Sequence, residues 1–186
     1  MSAPDLDAWL PDSQVRSRGC LRSTADPEQL WRAAREVRLD ETRTLGRLIR
    51  WRIPGTPADL TFQELFARYP FTVLDDGPTW SVSGMCGRIW TLARDYPRIE
   101  DAARFRAWNR PGTVRVLFGH WVEETDSGSA LFSEARVAPT DRFASLQLRG
   151  LWMILRRFER VIGAEPLPLA VVRAERVSAA ARPAGR

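Results

Sequence analysis

The chain of 186 residues contains no lysine. All 28 of its basic residues are arginines, which stand against 23 acidic residues and give a formal net charge of +5. Positive charge of this kind is compatible with nucleic acid or anionic lipid as a partner. Because the acidic residues are interspersed with the arginines, a solvated surface explains the charge more simply. We therefore expect no nucleic-acid partner, and peripheral contact with an anionic membrane stays open.

Cysteine, histidine and long apolar runs are also scarce. The two cysteines, Cys20 and Cys86, lie in alternating apolar runs and far from any metal-ligand spacing, which predicts buried, reduced thiols in a cytoplasmic protein. One histidine, His120, cannot form a two-histidine metal site, and there is no glycine-rich phosphate loop, so we expect neither a metal nor a cofactor. The chain has no run of 18 apolar residues, and residues 1–12 lack the pattern of a signal peptide.

Apolar residues recur at three- and four-residue spacing between Thr140 and Gly163, which predicts a long amphipathic helix. Its apolar face comprises Phe143, Leu146, Leu151, Ile154, Leu155, Phe158, Val161 and Ile162. The opposite side carries Arg142, Arg149, Arg156 and Arg160. We expect the helix to cover another layer of the protein and to be broken by Pro166 and Pro168 before it resumes over 169–177.

The preceding segments predict one strand, two helices and then about six strands. Val15–Arg22 alternates as a first strand does, and Asp26 and Asp40 can each cap a helix. Thr61 and Glu64 form a capping box, which fits a short helix or a packed loop. The strand candidates are Phe71–Asp75, Thr79–Cys86, Ile89–Asp95, Ala103–Trp108, Thr113–Glu124 and Ser129–Pro139, of which the last two form the clearest pair.

This order of elements predicts an α+β domain over residues 14–177. An antiparallel sheet would curve around the long C-terminal helix, with two short helices after the first strand. Residues 1–13 and 178–186 are expected to be flexible tails.

Three segments carry a resemblance to a known family. Phe105–Val114 and Ser133–Val137, the latter followed by Thr140 and Asp141, look like the pre-strand turn, the last strand and the closing-helix start of bacterial SRPBCC proteins. Residues 15–31 are similar to the opening strand and first helix of that superfamily. It includes START, Bet v 1-like and polyketide cyclase/dehydrase-like helix-grip proteins. The resemblance implies a helix-grip fold that encloses a hydrophobic ligand between the sheet and the C-terminal helix.

His120 lies on the more apolar side of its strand, together with Phe118. Such a histidine is either a hydrogen-bonded core residue or a functional group, acting as an acid/base or as a polar anchor for a ligand. Its neighbours depend on the hairpin register. A four-residue loop over 125–128 makes Glu134 and Arg136 surface charges, whereas a three-residue loop brings both beside His120. The cost of burying charges favours the first register.

The resemblance and the aromatic content predict a non-catalytic protein that binds a lipid, an isoprenoid or a polyketide-like compound. The alternative is a cyclase/dehydratase-like enzyme in which His120 transfers a proton. A weaker alternative is an adaptor that binds anionic surfaces through the arginines of the terminal helix. The residues expected to line the ligand site are Trp80, Trp90, Phe118, His120, Phe132, Glu134, Arg136, Phe143, Leu151 and Ile154, with Phe71 as a further aromatic candidate.

Overall fold

The computed structural model describes residues 3–91, 93, 95–155 and 165–181. Its strands are β1 (Val15–Ser23), β2 (Thr72–Gly77), β3 (Trp80–Gly87), β4 (Val114–Thr125) and β5 (Gly128–Pro139). Its helices are α1 (Pro27–Arg35), α2 (Leu45–Arg52), α3 (Phe62–Phe66), α4 (Ala102–Arg106), α5 (Arg142–Leu155) and α6 (Pro166–Ala181), with a 3₁₀ turn at Leu39–Glu41. The strands form one antiparallel sheet in the order β1-β5-β4-β3-β2.

The α+β class and the two helices after the first strand are confirmed, but the described residues contain five strands rather than six. The strand expected at Ala103–Trp108 is largely α4. The side chain of Asp101 accepts a hydrogen bond from the backbone N–H of Arg104, and this N-cap favours a helix over a strand. The described residues of Ile89–Asp95 form turns and irregular structure instead of a strand.

The long hairpin of β4 and β5 determines which side chain lies on which face of the sheet. Pairing is continuous along both strands and leaves only Asp126 and Ser127 in the turn. Gly128 follows with a φ of +141°, and a Cβ atom there would lie 2.3 Å from the carbonyl oxygen that ends β1. The pairing places His120 opposite Ser133, which is the register of the four-residue-loop alternative.

One face of the sheet, here called the helix face, carries Val116, Phe118, His120 and Val122 of β4. Helices pack on it in two separate clusters. The α1/α6 cluster brings both of these helices onto Val122 and includes Leu30, Trp31, Ala33, Val37, Leu131, Leu167, Ala170 and Ala174. The α5 cluster brings that helix onto Val116 and includes Val15, Met85, Tyr96, Val114, Val137 and Leu148.

The other face, here called the strap face, is covered by α4 and by residues 3–13, which we call the N-terminal strap. Leu6, Trp9 and Leu10 of the strap are buried in a third cluster with Phe105 of α4. They therefore do not form the loose tail that we expected. Glycines make room for them, since a Cβ atom at Gly119 would lie 2.8 Å from the side chain of Leu6.

Helix α5 meets the sheet along a different line from the one that its apolar residues indicate. Ala144 and Leu148 are the buried residues, whereas Phe143 and Leu146, expected to face inward, are exposed. The start of the helix is fixed by Asp141, whose carboxylate accepts hydrogen bonds from the backbone N–H groups of Ala144 and Gly112. This anchor orients the narrow Ala144–Leu148 line toward the sheet. Residues 156–164 of the predicted helix, including Arg156, Phe158, Arg160, Val161 and Ile162, lie outside the described residues.

Pro166 and Pro168 lie in the first turn of α6. Proline is tolerated there because the first backbone N–H groups of a helix have no acceptor within it. The helix continues to Ala181, beyond the expected start of a tail at Ser178, and the Ser178 hydroxyl donates a hydrogen bond to Gln29. Residues 182–186 lie outside the described part of the chain.

The packing of the strap makes it a structural element of the domain. Replacing the fully buried Leu10 by alanine should lower the free energy of unfolding by about 2–5 kcal/mol, because apolar contacts are lost and a cavity remains. The matched change at the exposed Leu146 should cost less than about 0.5 kcal/mol. Urea denaturation measures both. Equal, small losses in the two variants would show that the strap contributes nothing to folding.

Candidate ligand-binding site

The middle of the helix face is lined by small and polar side chains. The register aligns Gly19, Ser133, His120 and Ser81 in one row across four neighbouring strands. These four residues are partly accessible, whereas the clusters on either side of the row are buried. Small side chains leave space above a sheet that larger ones would fill. The two helical clusters therefore flank an accessible region centred on His120, which we call the central patch.

The next row of the same face, toward the α5 cluster, consists of Ser17, Ala135, Phe118 and Ser83. All but Ser83 are partly accessible. Phe118 is the one large side chain in this row, so the central patch continues beside it over Ser17 and Ala135.

Aromatic rings border the central patch on the α3 side. The ring centroid of Phe66 lies 4.8 Å from that of His120 and 5.1 Å from that of Phe118. Phe71 packs against both phenylalanines, with centroid distances of 5.1 and 5.6 Å. Such tilted and edge-to-face contacts form a stable apolar wall.

Helix α3 holds Phe66 in this position. The hydroxyl of Thr61 accepts a hydrogen bond from the backbone N–H of Glu64, and the Glu64 carboxylate accepts one in return from the N–H of Thr61. This confirms the capping box and shows that the segment forms a short helix.

The imidazole of His120 forms no hydrogen bond with any described residue, and neither do the hydroxyls of Ser81 and Ser133 on either side of it. Desolvation by the surrounding protein lowers the pKa of His120 to about 4, from an ordinary value of 6.5. The ring is therefore neutral at pH 7 and offers one donor and one acceptor. Three polar side chains with unused hydrogen-bonding capacity thus meet next to an aromatic wall.

Proton transfer is not what this environment favours. An efficient general acid or base has a pKa near the working pH. A histidine that titrates near pH 4 is a weak base at neutral pH, and its protonated form is scarce there. The geometry and the pKa together favour a hydrogen-bonding role.

The charged residues expected near His120 lie on the strap face instead. Glu134 and Arg136 are only 2% and 3% exposed, so they are not the surface charges that the hairpin register led us to expect. The strap covers them. Arg136 Nε lies 2.6 Å from Glu134 Oε1, and its Nη1 donates to Asp7 and to the carbonyl of Leu10, at 2.5 and 3.2 Å. Arg16 also pairs with Glu134, at 2.7 Å. Every charge is paired, which is typical of a structural clamp.

The remaining predicted site residues are spread over the molecule. Trp80 and Phe132 pack on the strap face, where Trp121 stacks on Phe132 with ring centroids 5.1 Å apart. Trp90 packs at the edge of the α5 cluster. Phe143 is exposed and Leu151 is half-buried, whereas the side chain of Ile154 lies outside the described residues.

Only Phe118, His120 and Phe71 of the predicted set meet at the central patch. Sequence reasoning missed Phe66, Ser81 and Ser133. A signal for the serines is present, because Ser81 and Ser83 alternate with apolar residues in β3. Polar side chains at alternate positions of a strand that is largely buried indicate a face with room for something besides protein.

Other kinds of site are less well supported. No group of three or more His, Cys, Asp or Glu side chains within the described ranges is placed to hold a metal ion. Cys86 is buried, with its thiol pKa raised to about 12 by desolvation, whereas Cys20 is exposed, contrary to our expectation. None of the helices in the described part of the chain is long and apolar enough to cross a bilayer.

No protein-family model and no curated protein matches this chain. It is similar to the solved structure of protein MLL2253 from Mesorhizobium loti, at 14% identity and a TM-score of 0.35, over 91% of this chain and 100% of that one. It is also similar to the di-domain ARO/CYC StfQ from the steffimycin biosynthetic pathway, at 14% identity and a TM-score of 0.39, over 89% of this chain and 52% of that one. For TTHA0849 from Thermus thermophilus the values are 14% and 0.33, over 90% and 100%. TM-scores of this size carry no conclusion about function, which rests on the site itself.

The depressed pKa of His120 can be measured directly, because this is the only histidine of the chain. The NMR signal of its ring Cε1–H should titrate near pH 4 and stay constant from about pH 6 to 8. The unfolded chain takes up this proton near pH 6.5 and the folded chain only near 4. The free energy of unfolding should therefore fall as the pH is lowered between these values.

His120→Phe should remove this part of the pH dependence while leaving that of the other groups in place. Urea denaturation at several pH values tests it. A titration midpoint above about pH 6 would show that the imidazole is well solvated or paired with an acid.

Proposed function

We propose that the chain binds a mainly apolar small molecule at the central patch and anchors it through hydrogen bonds to His120, Ser81 and Ser133. The observation that supports this most directly is the combination of an aromatic wall with three polar side chains that no described residue satisfies. Ligand sites in proteins are typically apolar surfaces with a few convergent polar groups.

The polar groups narrow the class of ligand. A plain hydrocarbon chain would cover the imidazole and both hydroxyls without bonding to them, and an unsatisfied buried polar group costs about 1–3 kcal/mol. A ring compound with hydroxyl or carbonyl groups satisfies them and stacks on Phe66 and Phe118. We therefore propose a polyketide-like or quinone-like compound rather than an unsubstituted acyl chain.

The helix-grip architecture and membership in the SRPBCC superfamily form part of this proposal. The order of a strand, short helices, antiparallel strands and C-terminal helices supports them, and so does the placement of α1, α5 and α6 on the same face as His120. The enzyme alternative has less support, because a histidine with a pKa near 4 is poorly suited to move protons at neutral pH.

Filling the space above the central patch should abolish binding. Ser133→Leu adds an isobutyl group directly beside His120, whereas Ser127→Leu makes the same change in the exposed hairpin turn and serves as the control. With the fluorescent probe 8-anilinonaphthalene-1-sulfonate, the first variant should bind at least about tenfold more weakly, and the control should match the wild type. Equal affinities in all three proteins would place the bound probe elsewhere and remove the support for this site.

The anchoring role of His120 can be separated from its apolar contacts with two probes. His120→Phe keeps an aromatic ring but loses both hydrogen-bonding nitrogens. Quenching of tryptophan fluorescence should show about a fivefold or greater loss of affinity for 2-naphthol and little change for naphthalene, since only the first probe has a hydroxyl group. Losses of the same size for both probes would contradict a hydrogen bond from this residue.

A further inference from the structure

Two helices expose large apolar side chains that pack against nothing. Leu146 and Met153 of α5 are each 65% exposed, and Phe143 at the start of the same helix is 58% exposed. On α2, Trp51 is 61% exposed and Leu48 is 36% exposed. Single exposed apolar residues are common, but several on neighbouring helices indicate an interaction surface. We call these five residues the apolar rim.

A continuous set of contacts joins the two halves of the rim. Arg52, at the end of α2, donates a hydrogen bond to the carbonyl of Thr91 at 2.5 Å. Thr91 donates to the carbonyl of Arg88, and Arg88 donates to the carbonyl of Gly112. Gly112 lies beside Phe143, because a Cβ atom built on it would be 3.8 Å from that ring. The end of α2 and the start of α5 therefore border one loop.

The surface around the rim is basic. Neither α2 nor α5 contains an acidic residue, and Arg47, Arg50, Arg142 and Arg149 of these helices are exposed. The nearest carboxylates are engaged at the helix N-termini. Glu165 accepts hydrogen bonds from the first N–H groups of α2, and Asp141 accepts them at the start of α5.

The loop between the two helices adds further positive charge. Asp95 is shared between Arg88 and Arg110, at 3.6 and 3.7 Å, so this group keeps a net charge of +1. Acidic residues concentrate at the other end of the β4–β5 hairpin, where Glu123, Glu124 and Asp126 line an open depression. A strand of 12 residues separates the two ends by about 40 Å. The molecule therefore has a basic, apolar end and an acidic end.

We propose that the apolar rim docks on an anionic lipid membrane, with the acidic hairpin tip pointing away from it. Exposed Trp, Phe, Leu and Met next to arginines match the headgroup boundary of a bilayer, where the apolar side chains insert and the cations meet anionic lipid. A symmetric dimer through this surface is disfavoured, because it would set the arginines of one copy against those of the other. The inference does not depend on the proposed ligand site.

Vesicle flotation tests this docking. The protein should bind vesicles of phosphatidylcholine with about 30 mol% phosphatidylserine, bind pure phosphatidylcholine weakly, and dissociate as NaCl rises from about 0.1 to 0.5 M. The double variant Leu146→Ser/Met153→Ser should lower the partition coefficient by about tenfold or more. Val172→Ser/Val177→Ser on α6, at residues that are 46% and 53% exposed, is the matched control and should bind like the wild type.

The charge contribution needs its own pair of variants. Arg142→Gln/Arg149→Gln should weaken binding and flatten its salt dependence, whereas Arg32→Gln/Arg176→Gln, at exposed positions on α1 and α6, should do neither. Thermal midpoints confirm that all four variants fold. Equal binding to neutral and anionic vesicles, or equal losses in the α5 and α6 variants, would overturn the proposal. So would a dimer that Leu146→Ser/Met153→Ser dissociates, in a protein that does not bind vesicles.

Discussion

The buried ion pair of Arg136 and Glu134 is the interaction on which much of this fold depends. Two charges removed from water are costly unless every lone pair and proton finds a partner. Arg136 meets this condition only with the strap in place, since Asp7 and the carbonyl of Leu10 supply acceptors that the sheet lacks. Docking of the strap in turn buries the face on which the pair lies. The central strands are thus covered on one side, and the helix face keeps the accessible central patch.

Carboxylates at the ends of the helices explain why that patch is not filled. Glu175 of α6 accepts hydrogen bonds from Ser23 and Thr24 at the end of β1, and Glu165 accepts them from the start of α2. Asp141 fixes the start of α5 to the turn before β4. Each contact holds its helix near one end of the sheet. The helices consequently pack as two groups, and the small residues between them leave a gap that aromatic rings border.

Alternation along the strands was enough to predict β1, the β4–β5 hairpin and the side of β4 on which His120 lies. It could not predict that Glu134 and Arg136 are buried, because their partner Asp7 lies 129 residues from Arg136 in sequence. Apolar periodicity also predicted the wrong inner face for α5. The segment is apolar around much of its circumference, so its pattern admits several orientations, and the contacts of Asp141 select one of them. The serines of the central patch became visible as a group only after cross-strand pairing aligned them.

The turn at Asp126 and Ser127 has a consequence for how this protein can change over evolution. Its two residues form no hydrogen bond with the rest of the described structure, so their identity is free to vary. Its length is not, because one inserted residue would shift β5 by one position and send His120 and the Arg136–Glu134 pair to the wrong neighbours. Gly128 allows no side chain next to β1. Homologues should therefore differ freely in the sequence of this turn and keep its length and its glycine.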